Sequence, residues 1–118
     1  MSASNPSGSV RTWIEINKRS LFFNYEYFRK LAGVPVMAMV KSNAYGHGLT
    51  LVARLLATRD PNPHSPNPRL WFGVDSIVEA LRLRREGIRQ PILVLGYTLP
   101  GRYADAARHN IILTVSSF

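Results

Sequence analysis

The sequence predicts an α/β fold in which parallel strands alternate with helices as βα units. Short apolar runs alternate along the chain with stretches whose apolar residues recur at helical spacings of three and four. Several of the apolar runs have no polar face, which is typical of strands covered on both sides in a parallel sheet. The 118 residues, 46% hydrophobic and 19% charged, suffice for one globular domain with a core.

The first third of the chain predicts a strand, a helix and a second strand. Residues 12–17, TWIEIN, alternate between the two faces of a short strand. Residues 18–31 have a helical pattern that ends at Gly33, a residue typical of helix C-termini. Residues 34–40 are apolar on both faces and predict a buried strand. The apolar positions of the helix are Leu21, Phe22, Tyr25, Phe28 and Leu31.

The rest of the chain repeats this alternation. Ser76 and Glu79 have the spacing of a capping box, which predicts the start of a helix, and Gly87 follows its expected end at residue 86. The other predicted elements are a helix at residues 49–57, a proline-rich loop at 59–69, strands at 70–74, 91–96 and 111–115, and a helix at 100–110. The alternation alone does not separate an open doubly wound sheet from a barrel.

Composition excludes several classes of function. The chain has no cysteine, which excludes disulfides, thiolate metal sites and cysteine nucleophiles and fits a cytoplasmic protein. No apolar run approaches the roughly 20 residues that span a bilayer, so no membrane association is expected. Residues 1–10 are polar without the features of a signal peptide and predict a flexible leader.

The formal net charge of +8 suggests either a nucleic-acid surface or solvated helix faces with an anionic small ligand. Nucleic-acid-binding proteins concentrate basic residues in one patch or stripe, whereas here they are spread from Arg11 to Arg108. We therefore expect no specific nucleic-acid partner.

A single lysine marks the carboxyl end of the predicted strand 34–40, where parallel βα folds gather functional side chains. Burial lowers the pKa of a lysine, and a neutral amine attacks carbonyl groups. Gly46 and Gly48 let the backbone approach a ligand, and the start of helix 49–57 suits a phosphate. A carbonyl-reactive Lys41 beside a phosphate site describes pyridoxal phosphate. The alternative is a surface lysine followed by an ordinary glycine-rich turn.

The segment KSNAYGHG, residues 41–48, resembles the pyridoxal-phosphate attachment motif of alanine racemases. The resemblance extends from Arg11 to the end of the chain through TWIEIN, FGVDSIVEALRLRREGI and PILVLG. It implies a fold type III pyridoxal-phosphate enzyme, in which residues 11–118 form the N-terminal part, roughly the first half, of a (β/α)8 TIM-type barrel. The chain is accordingly expected to be truncated.

The resemblance also implies roles for individual residues. Lys41 carries the cofactor covalently and serves as the base for the α-proton of the D-amino acid. Tyr45 donates its hydroxyl to the cofactor phosphate, with ring packing beneath the loop as the alternative. The resemblance gives His47 no catalytic role, and from its place in the loop we expect it to order the turn through a hydrogen bond. From their positions, His64 and His109 are expected to be structural or solvated. No metal site is expected.

The function implied is that of an isomerase converting L-alanine to D-alanine for peptidoglycan, working as a homodimer. The resemblance places the second catalytic base and the remaining cofactor contacts outside this chain, so the chain alone is expected to have little or no activity. The alternatives are a serine racemase, a non-catalytic pyridoxal-phosphate-binding barrel protein and a basic nucleic-acid-binding module.

Overall fold

A computed structural model describes residues 11–117 and contains one four-stranded parallel sheet with helical connections, which confirms the predicted α/β class. The predicted leader, residues 1–10, lies outside the described residues. The strands are β1 (Val36–Met39), β2 (Leu70–Val74), β3 (Ile92–Val94) and β4 (Ile111–Leu113). The α-helices are α1 (Lys18–Ala32), α2 (Leu49–Ala57), α3 (Ile77–Arg85) and α4 (Tyr103–Arg108), and a 3₁₀ turn at Pro100–Arg102 precedes α4.

The sheet follows the order of the sequence, β1-β2-β3-β4, and every neighbouring pair is parallel. An open doubly wound sheet reverses its strand order at a switch point. The described strands show no such reversal, and the sheet grows in one direction as consecutive barrel strands do. The register pairs Met39 with Gly73 and Val74 with Val94, so the carboxyl ends of the strands meet at one edge.

The predicted strand at residues 12–17 is wrong. These residues pair with no strand within the part of the chain that the structure describes, and Ile14 is 68% exposed. The alternating pattern fitted a strand, but a strand forms only where another backbone supplies hydrogen bonds. Asn17 instead caps α1, because its Oδ1 accepts the backbone N–H of Ser20 at 2.9 Å.

The other predicted elements are present, most of them with shifted ends. Helix α2 matches its prediction to the residue, and α1 ends as expected at Gly33, whose φ of 67° is left-handed. Strands β1, β3 and β4 are shorter than predicted, and the predicted helix 100–110 divides into the 3₁₀ turn and α4. No helix within residues 11–117 is long and apolar enough to cross a membrane.

The core lies between the sheet and the helices that cover it. Its largest fully buried side chains come from β2, β3, α3 and the residue that follows β1: Val40, Leu70, Phe72, Val74, Leu83, Ile92 and Val94. At the opposite edge from the carboxyl ends, Arg84 donates to the backbone carbonyls of Ile88, Gln90, His109 and Asn110 at 2.8–2.9 Å. Burial lowers the pKa of Arg84. This guanidinium joins the two loops that lead into β3 and β4.

Tyr25 is the buried residue of α1, and its hydroxyl has no hydrogen-bond partner among the described residues. Burial raises the pKa of Tyr25, and the negative charge of Asp60 raises it further. Asp60 is itself buried and accepts the backbone N–H of Leu70 at 3.3 Å. The folded chain therefore favours the neutral phenol.

Tyr25→Phe is expected to remove part of the alkaline destabilisation of the fold. The unfolded phenol ionises near its ordinary pKa of about 10, whereas the folded phenol keeps its proton to higher pH. The stability contributed by Tyr25 is thus fully present below about pH 10 and is lost as the pH rises through the folded pKa. Urea unfolding from pH 8 to 11 measures this: the free energy of unfolding of the parent should fall more steeply than that of the variant. Parallel curves would contradict the prediction.

Candidate functional site

Lys41 lies where the sequence predicted it, at the carboxyl end of β1. Val40 continues the ladder by donating its N–H to Gly73 O at 2.9 Å and is itself 1% exposed. Lys41 follows at once and is half-buried, so its side chain is less shielded from water than the sequence suggested. No carboxylate within residues 11–117 lies within ion-pair distance of its amine. Lys41 is thus partly exposed, and its amine forms no ion pair with the described residues.

The chain turns immediately after Lys41 in a left-handed helical conformation. Residues 42–45, here called the left-handed turn, have φ angles of 51°, 56°, 53° and 55°, and none of them is glycine. The left-handed helix costs L-residues roughly 1–2 kcal/mol each. Gly46 extends the run of positive φ at 90°, and Gly48, one residue further on after His47, has a φ of 103°. Strained backbone of this kind persists only where surrounding contacts hold it, and such segments concentrate at functional sites.

Backbone hydrogen bonds close the left-handed turn on itself. Ala44 N donates to Val40 O at 2.8 Å, Gly46 N to Ser42 O at 3.2 Å, and Gly48 N to Asn43 O at 2.9 Å. His47 donates to Ala44 O twice, from its backbone N at 3.0 Å and from its ring Nδ1 at 2.9 Å. Because a carbonyl only accepts, the ring carries its proton on Nδ1. His47 therefore orders the turn, as the sequence predicted.

The loop after β2 supports the left-handed turn from the side. Ser42 Oγ donates to Asp75 Oδ2 at 3.0 Å, and Asn43 N donates to Glu79 Oε2 at 3.1 Å. The other oxygen of Glu79 accepts the N–H of Asp75 at 3.0 Å. Ser76 caps α3 as predicted by accepting the N–H of Glu79 at 3.3 Å. The carboxylate half of the predicted capping box is thus directed to Asp75 and to the turn.

The start of α2 is only partly open as the phosphate site that the sequence suggested, because its first amide already has a partner. The first amide of the helix, that of Leu49, donates to Asn43 Oδ1 at 2.8 Å. Asn43 therefore contacts two partners beyond the turn: its N–H bonds to Glu79 and its side chain caps α2. The physical reason is that the left-handed backbone directs the asparagine side chain towards the helix that follows.

Tyr45 ends the left-handed turn and is 59% exposed. This exposure does not fit the alternative of ring packing beneath the loop. The side chain is therefore largely open to a ligand, and it lies four residues after Lys41 at the end of the left-handed turn. The structure thus brings the two candidate residues together on one short segment.

The remaining histidines lie apart from this segment. His64 is exposed in the proline-rich loop, and the ring Nδ1 of His109 is 2.9 Å from Asp105 O. No group of three metal-ligating side chains occurs in residues 11–117. A surface groove of about 250 Å³ is lined by Val78, Leu81, Arg85, Arg102 and His109, none of which is a predicted site residue.

Comparison with known proteins identifies the relatives of this chain. A family model described as the N-terminal domain of alanine racemase matches residues 16–118. An alanine racemase of Desulforamulus reducens is 39% identical over 112 residues, which are 90% of this chain and 27% of that protein. The chain thus spans about a quarter of the length of the curated relatives it matches.

Solved structures give the same grouping. An alanine racemase of Clostridium difficile 630 aligns with a TM-score of 0.79 and 33% identity, covering 92% of this chain and 28% of that one. A histidine racemase from Leuconostoc mesenteroides subsp. sake aligns with a TM-score of 0.71 and 35% identity, covering 85% and 25%. These alignments confirm that the parallel βα units correspond to the N-terminal barrel domain of alanine racemases.

Glycine at position 43 is expected to be less destabilising than alanine. Both substitutions remove the side chain that caps α2, but only glycine adopts a positive φ without steric cost. The free energy of unfolding of Asn43→Gly should therefore exceed that of Asn43→Ala by about 1 kcal/mol. Urea unfolding of the two variants measures this difference. In a right-handed helix the order is reversed, because glycine is the poorer helix former.

The same pair of substitutions at an ordinary helical position provides the control. Leu51 lies in α2 and is 49% exposed, so Leu51→Gly should be less stable than Leu51→Ala. If the glycine variant is less stable than the alanine variant at position 43 as well as at position 51, residue 43 does not adopt the left-handed conformation.

Proposed function

This chain belongs to the alanine racemase N-terminal domain family, and from that premise we propose that Lys41 is the cofactor-linked residue of an amino-acid racemase dependent on pyridoxal phosphate. The observation that supports the proposal is the position of Lys41, half-buried at the carboxyl end of β1 with no ion-pair partner among the described residues. An amine in this setting has the chemistry required to bond an aldehyde.

The residues present fit pyridoxal phosphate in two respects. Lys41 offers an uncommitted amine for the aldehyde, and the exposed Tyr45 offers a hydroxyl donor for the phosphate. The phosphate contact is assigned to Tyr45 in line with the family resemblance, and Asn43 takes the first amide of α2. When bound, pyridoxal phosphate withdraws electrons from the α-carbon of an amino acid and so makes its α-proton acidic.

Lys41 acts as a proton carrier on one face of the amino acid. Its neutral amine accepts the α-proton of the D-enantiomer, and its ammonium form returns a proton to the same face. Racemisation also requires a second group on the opposite face. We assign that group to a partner subunit in a homodimer, in line with the family resemblance. The left-handed turn contributes by keeping Lys41 and Tyr45 in a fixed relation.

The proposed reaction is the interconversion of L-alanine and D-alanine in the cytoplasm, supplying D-alanine for peptidoglycan. Alanine is the substrate named for the relatives of Desulforamulus reducens and Clostridium difficile, whereas the structural relative from Leuconostoc mesenteroides is a histidine racemase. The proposal assigns residues 11–118 to one part of the barrel domain. The alternative is a non-catalytic protein that binds pyridoxal phosphate. Cofactor binding without racemisation by a protein that contains the whole barrel would favour this alternative.

Pyridoxal phosphate is expected to label Lys41 in preference to the other two lysines. The chain contains Lys18, Lys30 and Lys41, of which the first two are exposed on α1. Incubation with the cofactor, borohydride reduction and peptide mapping measure the label on each. Lys41→Arg should abolish the main label, whereas Lys30→Arg should leave it unchanged. Equal labelling of the three lysines would indicate nonspecific reaction and contradict the proposal.

The purified 118-residue chain is expected to show little or no racemisation of alanine. Its candidate base, Lys41, serves one face of the substrate, and the proposal assigns the second base to a partner subunit. The measurement is interconversion of the alanine enantiomers by chiral chromatography, with a racemase containing the whole barrel as the positive control. Measurable interconversion by the chain alone would contradict the assignment of the second base.

A further inference from the structure

We propose that Glu79 is a positioning residue for Lys41, because its carboxylate holds the left-handed turn that follows the lysine. The inference rests on the proposed function of Lys41 and concerns how that lysine is oriented. Glu79 touches neither the amine nor any atom that reacts with it. It acts through the backbone of Asn43.

The two oxygens of Glu79 bind two different backbone amides. Oε1 accepts from Asp75 N at 3.0 Å in the loop before α3, and Oε2 accepts from Asn43 N at 3.1 Å, 36 residues away in sequence. Glu79 forms no ion pair within the described part of the chain. Both oxygens are therefore committed to backbone N–H groups, and hydrogen bonds to an ionised carboxylate are roughly twice as strong as neutral ones.

The contact with Asn43 satisfies an amide that the turn cannot satisfy internally. The first N–H groups of any helix have no partner in the preceding turn, whichever way the helix winds. In the left-handed turn, Ala44 N is the first to find an internal acceptor, the carbonyl of Val40. The amide of Asn43 precedes it and uses Glu79. The carboxylate thus caps the left-handed turn in the way that an N-cap side chain caps an ordinary helix.

A second contact fixes the same loop against the same turn. Ser42 Oγ donates to Asp75 Oδ2, and the N–H of Asp75 is held by Glu79. The contacts therefore form a closed set between the left-handed turn and the start of α3 with the loop before it: Ser42, Asn43, Asp75 and Glu79. Lys41 lies between this set and Val40, which is anchored to Gly73 O in the sheet. Release of the turn frees the backbone on one side of Lys41.

Glu79→Gln tests the two-amide contact with little change in shape. A glutamine has one carbonyl oxygen, and its NH2 group faces an N–H donor at the other position. Hydrogen exchange of individual amides, followed by NMR on the 118-residue chain without cofactor, should show exchange at Asn43 accelerated about tenfold. The amide of residue 79, held by Ser76, should change by less than about twofold because Ser76 is unaltered.

The second readout is the rate at which pyridoxal phosphate and borohydride label Lys41. We expect Glu79→Gln to slow this labelling about fivefold through loss of orientation of the amine. Labelling of Lys18 and Lys30 should remain unchanged. The matched control is Glu86→Gln at the other end of α3, where the carboxylate lies 3.6 Å from Arg54. This control should alter neither the exchange of Asn43 nor the labelling of Lys41.

Glu79→Asp separates charge from span. Aspartate keeps the negative charge at the start of α3 but is one methylene shorter, so it does not bridge both amides. Exchange of the Asn43 amide in Glu79→Asp should be accelerated as it is in Glu79→Gln. Exchange as slow as in the parent chain would overturn the inference, because the negative charge alone would then protect Asn43.

Two further results would also overturn the inference: unchanged exchange at Asn43 in Glu79→Gln, or loss of protection along α3 with normal labelling of Lys41. Absence of label on Lys41 in the parent chain would contradict the proposed function instead. The exchange of Asn43 then decides alone whether Glu79 holds the turn.

Discussion

The left-handed turn after β1 is the constraint on which the rest of the site depends. Four consecutive L-residues occupy a conformation that each of them disfavours, at a total cost of roughly 4–8 kcal/mol by the usual steric penalty. A segment of this kind does not form in isolation. It requires the loop after β2, and that requirement explains why Asp75 and Glu79 direct their carboxylates to residues 42 and 43 and not to basic side chains.

The parallel sheet brings these two loops together. Strands β1 and β2 are adjacent and in register, with Met39 opposite Gly73, so the residues that follow each strand emerge at the same edge. Gly73 also accepts the N–H of Val40 and so extends the ladder to the residue before Lys41. The sheet thus fixes the backbone position before Lys41, and the left-handed turn fixes the direction of the backbone after it. Helix α2 is bonded to the turn through Asn43.

Local sequence patterns predicted the elements well and the site only in outline. Helices α1 and α2 followed from apolar spacing and from Gly33, because these signals are contained in the segments themselves. Residues 12–17 carried an equally local strand pattern, yet no partner strand lies beside them among the described residues. The position of Lys41 at a strand end followed from the apolar run before it, and the role of His47 from its place in the loop.

The left-handed conformation and its support could not be predicted in the same way. Of residues 42–45, only Asn43 belongs to a type enriched at positive φ. Glu79 was recognised as a capping residue, but its contact with Asn43 depends on tertiary packing across 36 residues. The bond between Asn43 and the first amide of α2 could not be predicted either, because the side chain of Asn43 reaches that amide only when the chain has turned left-handed.

Residues 42–45 are expected to keep the left-handed turn in solution, and NMR of the 118-residue chain can detect it. A positive φ shortens the distance between the amide and α protons within a residue, which strengthens the nuclear Overhauser effect between them. We expect four successive strong intraresidue effects at Ser42, Asn43, Ala44 and Tyr45. Weak effects at these residues, equal to those of α1, would contradict it.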